Sequence, residues 1–438
     1  LSFEVEIYKN NVTIDLGTLT NDKVEIETTA LDKESGSQMA KPDEKVTIVD
    51  TVEYEGLKKG VEYRVTGTLM NKETGEALLI DGKPVTAETT FTAKKSTGSV
   101  EVTFTFDASG LSSTTLVCFE ELYQEDLKLA VHADIEDKDQ SIYFPEIGTQ
   151  VKEETTGLQI AYAGKDTTLI DTVSYKNLLP GEEYTLSGVL IDKETGEELL
   201  IDEKPVTAET TFTPEESEGT VEVPFTFDAT DAAGKTIVVF ETLSYDGEEI
   251  AQHQDLESPE QTLQFPSIGT TAINPETGSQ TGLAKEEAIL QDVAEYTNLL
   301  AGEPFLIRGT LMDKETGEEL LIDDKPVTAE QEFTPEEANG SISLDFAFNA
   351  KDLKGKTLVV FEEILYKDQV VAAHKDVESA PQSIYFPEIG TSAADGDDGD
   401  KEALADTEVT IVDTVSYKNL LPSRIVAMSF CEPRSCTK

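Results

Sequence analysis

The chain repeats itself every 121 residues, and that period limits its possible folds more than any other feature. The stretches VHADIEDKDQSIYFP from Val131, QHQDLESPEQTLQFP from Gln252 and AHKDVESAPQSIYFP from Ala373 hold the chain's three histidines, His132, His253 and His374. Each histidine precedes a glutamine by eight residues, and Gln140, Gln261 and Gln382 follow one another at intervals of 121. Such a unit is too long for a solenoid repeat and long enough to bury a core of its own. The sequence therefore predicts whole domains in series, at 26–146, 147–267 and 268–388. Residues 1–25 read as the end of a preceding β domain, 389–422 as the truncated start of a fourth repeat, and 423–438 as a non-repeating tail.

Within each unit, short runs alternate apolar and polar residues, and turn signals separate them. In the first repeat these are IETTALD, VTIVDTVEY, YRVTGTLM, AETTFT, VEVTFTFDA, TLVCFEELY, LAVHADI and QSIYFP, with KETGE supplying one hairpin turn. Eight to ten such strands per unit predict an all-β fold of tandem immunoglobulin-like sandwiches. The segments at Asp107, Asp228 and Asn349 are expected to add one short helical turn. Only FPEIG and its counterparts join one unit to the next, so the array reads as a stiff rod.

Composition removes several classes of function. A net charge of −54 opposes binding to nucleic acid or to an anionic membrane surface. No apolar run is long enough for a transmembrane helix. No signal peptide opens the sequence, and Leu1 falls inside an alternating run, so further chain is expected upstream. The three cysteines, Cys118, Cys431 and Cys436, provide no disulfide framework. Stabilisation by some other means is expected.

Side chains alternate across a strand, so each run shows what it aims inward. Asp50 shares a face with Val46, Ile48, Val52 and Tyr54, and Asp171 and Asp292 repeat the pattern. Glu120 lies with Leu116, Cys118 and Leu122, and Glu241 and Glu362 follow suit. Gln140, Gln261 and Gln382 lie with the Ile or Leu and Phe of the closing strand. Thr28, Thr149 and Thr270 lie with the apolar residues of the opening strand. His132 falls with Ala130 and Asp134 in a weaker pattern, as do its two counterparts. Spacing is constant in all three units: Thr to Asp 22, Asp to Glu 70, Glu to His 12, His to Gln 8. Each such group buried alone costs about 1–3 kcal/mol, and a charge costs more, so the five are expected to meet. A buried network that fixes strand register is the plain reading. Against it, the set contains a nucleophile, an acyl donor, a base and a pair of carboxyls, and joins the first strand to the last.

The motifs IxTxA at Ile26, DTVxY at Asp50, VxFE at Val117 and HxDxxxxxQ at His132, repeated through residues 26–388, resemble the Thr–Gln ester-bond (VaFE-type) domains of Gram-positive surface adhesins. The resemblance implies a spontaneous intramolecular ester between a threonine hydroxyl and a glutamine side-chain carbonyl, with loss of ammonia. Carried over, the pairs are Thr28–Gln140, Thr149–Gln261 and Thr270–Gln382. Thr51 and Thr172 are poorer nucleophile candidates, because they face the other way and the third repeat has Val293 there. The histidines are the candidate bases. Two close inward carboxyls cannot both ionise easily, so one of Asp50 and Glu120, Asp171 and Glu241, or Asp292 and Glu362 is expected to stay neutral and stabilise the oxyanion. Each domain would react once, as self-processing rather than enzyme turnover, and without cofactor or metal. The implied role is a mechanically resistant adhesin stalk outside a Gram-positive cell wall. Its partners would be neighbouring domains of the same chain and a host ligand held by a head domain elsewhere. Repeat four keeps Thr391 and Asp413 but lacks the Glu, His and Gln, so no ester and no order are expected over 389–438.

Two rival functions fit the same sequence. One is a passive or Ca²⁺-stabilised ligand-binding sandwich, suggested by the acidic run Asp395–Glu402, although EF-hand spacing is missing. The other is a metal-dependent or hydrolytic enzyme, for which one histidine per domain is sparse.

Overall fold

The computed structural model describes residues 4–6, 13–15, 23–403 and 408–421. The described residues are almost entirely β-structure. The single helical segment among them is the 3-10 turn Thr230–Ala232, so the short helical turn expected in every repeat occurs in the second alone. The two other segments form plain turns instead.

Each complete repeat folds into two facing antiparallel sheets. In the first repeat the smaller sheet orders Glu25–Asp32, Val46–Glu55 and Gly98–Phe106. The larger sheet runs from Leu127–His132 through Thr114–Gln124 and Glu62–Asn71 to Thr86–Thr92, with Ser141–Phe144 also pairing to Thr114–Gln124. The same arrangement recurs in the second and third repeats. Strict alternation of burial along the opening strands drives the assembly, because Ile26, Ala30, Ile48, Val52 and Tyr54 turn one apolar face to the opposite sheet. The opposite sheet answers with Leu69, Leu116, Leu122, Ile142 and Phe144.

Strand Thr114–Gln124 is the hub. Its first half pairs with the closing strand (Leu116 opposite Ile142) and its second half with the histidine-bearing strand (Glu120 opposite His132). The chain therefore passes from His132 to Gln140 along one edge of a single strand. A β-bulge at Leu122/Tyr123 shifts the register of the histidine strand, and the same bulge occurs at Leu243/Ser244 and Ile364/Leu365. This shift is why alternation near His132 looked weak in the sequence.

Successive repeats touch directly. Asn177 of the second repeat donates from Nδ2 to the carbonyls of Thr114 (2.8 Å) and Phe144 (3.1 Å) of the first, and accepts from Thr115 Oγ1 (2.9 Å). Asn298 makes the matching bonds to Lys235, Phe265 and Thr236. Met39 of the first repeat lies in the apolar core of the second, and Ile160 of the second in that of the third.

The expectation of disorder over 389–438 is corrected for the described residues 389–403 and 408–421. Glu388–Asp395 and Ile411–Lys418 pair as an antiparallel hairpin, with Thr391 opposite Val415 and Ala393 opposite Asp413. Local pairing survives because Asn419 Nδ2 docks the hairpin on Thr357 Oγ1 at 3.0 Å, although Ile389, Ile411 and Tyr417 stay exposed. Of residues 1–25, expected to end a preceding β domain, Glu4–Glu6 and Thr13–Asp15 pair antiparallel, and 1–3, 7–12 and 16–22 lie outside the described residues. The tail 423–438, with Cys431 and Cys436, lies outside the described residues.

Candidate functional site

The five residue types aimed inward by the alternation converge between the two sheets of every repeat. The smaller sheet supplies Thr28 and Asp50, on adjacent strands where Thr28 faces Val52 and Ala30 faces Asp50. The larger sheet supplies Glu120 from the hub strand, His132 from the end of its neighbour and Gln140 from the residue just before the closing strand. Asp50, Glu120 and Gln140 are fully buried and Thr28 is 5% exposed, while the histidine is half-buried. Burial is nearly identical in the other two repeats.

In the first repeat Gln140 Nε2 donates to Thr28 Oγ1 and to Glu120 Oε2, both at 2.6 Å, and Thr28 Oγ1 lies 3.3 Å from Glu120 Oε2. In the third, Thr270 Oγ1 donates to Glu362 Oε2 at 3.0 Å and lies 3.3 Å from His374 Nδ1, while Gln382 Nε2 reaches Glu362 Oε2 at 2.7 Å. The second repeat is looser. Gln261 Nε2 donates to the carbonyls of Val239 (2.5 Å) and His253 (3.0 Å), and Thr149 Oγ1 has no partner. Nδ1 of His132 and of His253 is buried without a partner; Nε2 of His132 is 3.0 Å from Asp137 Oδ2, which orients the ring.

Electrostatics separate the two carboxyls. Burial, reinforced by the neighbouring aspartate, pushes Glu120 up to about 11 and Glu241 and Glu362 to about 9. Burial also raises the aspartates, but a hydrogen bond with the glutamate offsets part of it, leaving Asp171 at about 7 and Asp292 at about 6, with Asp50 raised as well. The glutamate thus holds the proton at neutral pH. Burial lowers His374, which keeps its ring neutral and able to accept a proton. Without a proton on the glutamate, both oxygens of each aspartate, and Oε1 of Gln140, Gln261 and Gln382, lack a hydrogen-bond donor. A proton on the glutamate is the donor such a site requires.

Two contributors were not singled out in the sequence. Gly67, Gly188 and Gly309 face Glu120, Glu241 and Glu362 across the sheet. A Cβ on Gly67 would stand 2.5 Å from Phe104 Cζ, and one on Gly188 would collide with the Glu241 carboxyl and Phe225. These positions make room for the glutamate and the aromatic ring beneath it. Asp137 was also missed. The 121-residue recurrence of the glycine was the available signal.

Asp50, Cys118 and Glu120 bring potential metal-ligand atoms within 4.8 Å of one another in the first repeat. The second and third repeats have Val239 and Val360 at the cysteine position, so chemistry common to all three does not use the thiol. Asp397–Asp400 of the acidic run are exposed, and Asp395 and Asp398 cap backbone N–H groups of the turn. Among the described residues no helix is long and apolar enough to cross a membrane.

The sequence matches the family described as the T-Q ester bond containing domain over residues 24–144, 145–265, 266–386 and 387–424. The chain belongs to that family. Its fourth match covers the hairpin that carries Thr391 and Asp413. No curated protein matches the chain. Among solved structures, one similar to it is a bacterial adhesin from Mobiluncus mulieris containing intramolecular disulfide, isopeptide and ester bond cross-links. That comparison has 15% identity, 63% coverage of this chain, 93% of the other and a TM-score of 0.26. Another is the C-terminal domain of the AgI/II polypeptide BspA of Streptococcus agalactiae, with 9% identity, coverages of 52% and 97% and a TM-score of 0.27.

Proposed function

We propose that each complete repeat of this T-Q ester bond protein closes its own crosslink, Thr28–Gln140, Thr149–Gln261 or Thr270–Gln382. The carrying observation is the meeting of Thr28 Oγ1, the Gln140 amide and Glu120 within one dry core. The threonine oxygen attacks the glutamine side-chain carbon, and the histidine takes the hydroxyl proton at Nδ1. The neutral glutamate donates to the oxyanion, while the ionised aspartate beside it stabilises the positive charge that develops on the histidine. The C–N bond then breaks, and the amide nitrogen collects the proton from the histidine and leaves as ammonia. One ester replaces one amide and one hydroxyl, once per domain, with no turnover. Exclusion of water preserves the product.

The array so formed suits the stalk of a bacterial surface adhesin, displayed outside a Gram-positive cell wall, with residues 26–146, 147–267 and 268–388 as its load-bearing units. Its nearest partners are its own neighbouring repeats. The host ligand belongs to a head domain carried elsewhere in the adhesin. A bond from the first strand to the last routes tension past the sandwich. Pulling single molecules from both ends tests this reading. A linked repeat keeps the stretch between its paired side chains, which lie 112 positions apart in the sequence, out of the extension. An unlinked repeat releases roughly 3.5 Å for each residue. Full-length release from all three repeats would overturn the proposal.

A further inference from the structure

A second glutamine recurs at the 121-residue period and has no part in the chemistry above: Gln38, Gln159 and Gln280. Each stands ten residues after the crosslinking threonine, beyond the turn that closes the opening strand. Its side-chain amide reaches over the acyl-donor glutamine and grips the backbone on both sides of it. Gln159 Nε2 donates to the carbonyls of Pro259 (2.8 Å), Glu260 (3.1 Å) and Thr262 (2.9 Å), which flank Gln261. Gln280 Nε2 does the same with Ala380 (2.6 Å), Pro381 (3.0 Å) and Ser383 (2.9 Å) around Gln382. Gln38 holds Lys138 and Ser141 (3.0 Å) around Gln140.

The acyl donor needs such a grip. It lies just outside the closing strand, at the end of the sheet ladder. Its own carbonyl is taken by the hub strand (Cys118, Val239 and Val360 N–H), and the carbonyl before it by the opening strand (Ala30, Val151 and Ala272 N–H). The carbonyl two residues before it and the one after it are claimed by the recurrent glutamine. The backbone of that glutamine is pinned as well, since Gln264 N–H donates to Gln159 O and Ala161 N–H to Gln264 O. The next residue along, Met39 or Ile160, is anchored in the core of the following repeat.

We propose, on the strength of the ester reading, that Gln38, Gln159 and Gln280 are positioning residues that set the acyl donor against the threonine hydroxyl. Nucleophile and clasp lie on one short segment, so placing the threonine also places the glutamine it attacks. Displacing reacting atoms by about 1 Å costs on the order of 100-fold in rate.

The test uses the full chain made by timed cell-free synthesis and quenched into denaturant. Intact mass and mapping of the Thr149–Gln261 peptides then follow crosslinking in the second repeat, with repeats one and three as internal controls. Gln159→Met keeps the bulk and loses the donors; Gln159→Glu keeps the shape and sets acceptors against three carbonyls. Both are expected to slow the second crosslink about tenfold to 100-fold and to leave the other two unchanged. Amide exchange of Gln159→Met in a Thr149→Ala background, which cannot link, should still report a folded second repeat. Linking at the parental rate would overturn the positioning role alone. Loss of the folded second repeat would make Gln159 a structural residue and overturn it too. Absence of ammonia loss from every repeat of the parent would overturn the ester reading and this inference together.

Discussion

Thr149→Ala isolates the contribution of one crosslink. In the second repeat the threonine hydroxyl has no hydrogen-bond partner, so its removal strands no donor or acceptor. Thr149 is 6% exposed, and losing its buried methyl costs about 1 kcal/mol. The remaining effect is the loop. An ester from Thr149 to Gln261 ties a segment as long as the 112-residue separation of Thr28 and Gln140. On the chain-entropy relation used for disulfides, closing such a loop stabilises by about 5 kcal/mol. For a domain of this size that corresponds to a fall in melting temperature of roughly 15–25 °C. Scanning calorimetry of the full chain should show one transition moving down by that amount while the others stay within a few degrees. The denatured mass should lie two ammonia masses below the value calculated for the variant. An unmoved transition, or a shift no larger than the methyl explains, would refute the reasoning.

The raised carboxyls make an unlinked repeat sensitive to pH. Glu362 titrates near 9 in the fold and near 4.3 when unfolded, so its stabilising protonation is complete below about pH 4 and is lost as pH rises towards 9. In Thr270→Ala the third repeat should lose amide-exchange protection from pH 5 to pH 9, and adding Glu362→Gln should flatten that slope. Gly188→Ala pushes a Cβ into the Glu241 carboxyl and Phe225, so mass analysis should show no second crosslink and calorimetry a loss of about 1–3 kcal/mol beyond it. His374→Ala removes the group 3.3 Å from the Thr270 hydroxyl; timed quenching should show the third crosslink slowed by about 100-fold or more with the fold kept.

Much of this site was legible because strands alternate strictly. Thr28, Asp50 and Glu120 could be placed inward from their neighbours alone, and the structure buries all three. Gln140 was placed correctly although it precedes the closing strand, because its inward direction continues from Ile142 and Phe144. His132 was harder, since the bulge at Leu122/Tyr123 breaks the two-residue period beside it. Gly67 and Gln38 were visible as recurrences but silent about purpose. A glycine's role depends on which ring lies beneath it, and a clasp on which carbonyls lie a hundred residues away. Both are set by how the sheets face each other. The hairpin after residue 388 was misread because the missing Glu, His and Gln imply lost chemistry, whereas its order depends on local pairing and the Asn419 contact.

The proposed bonds are covalent, so intact mass under denaturing conditions detects them. The chain is expected to be lighter than its sequence by three ammonia masses, with Thr28–Gln140, Thr149–Gln261 and Thr270–Gln382 recovered as linked peptides. A mass equal to that of the plain sequence would contradict this and leave the buried residues as a hydrogen-bonded network that only fixes strand register.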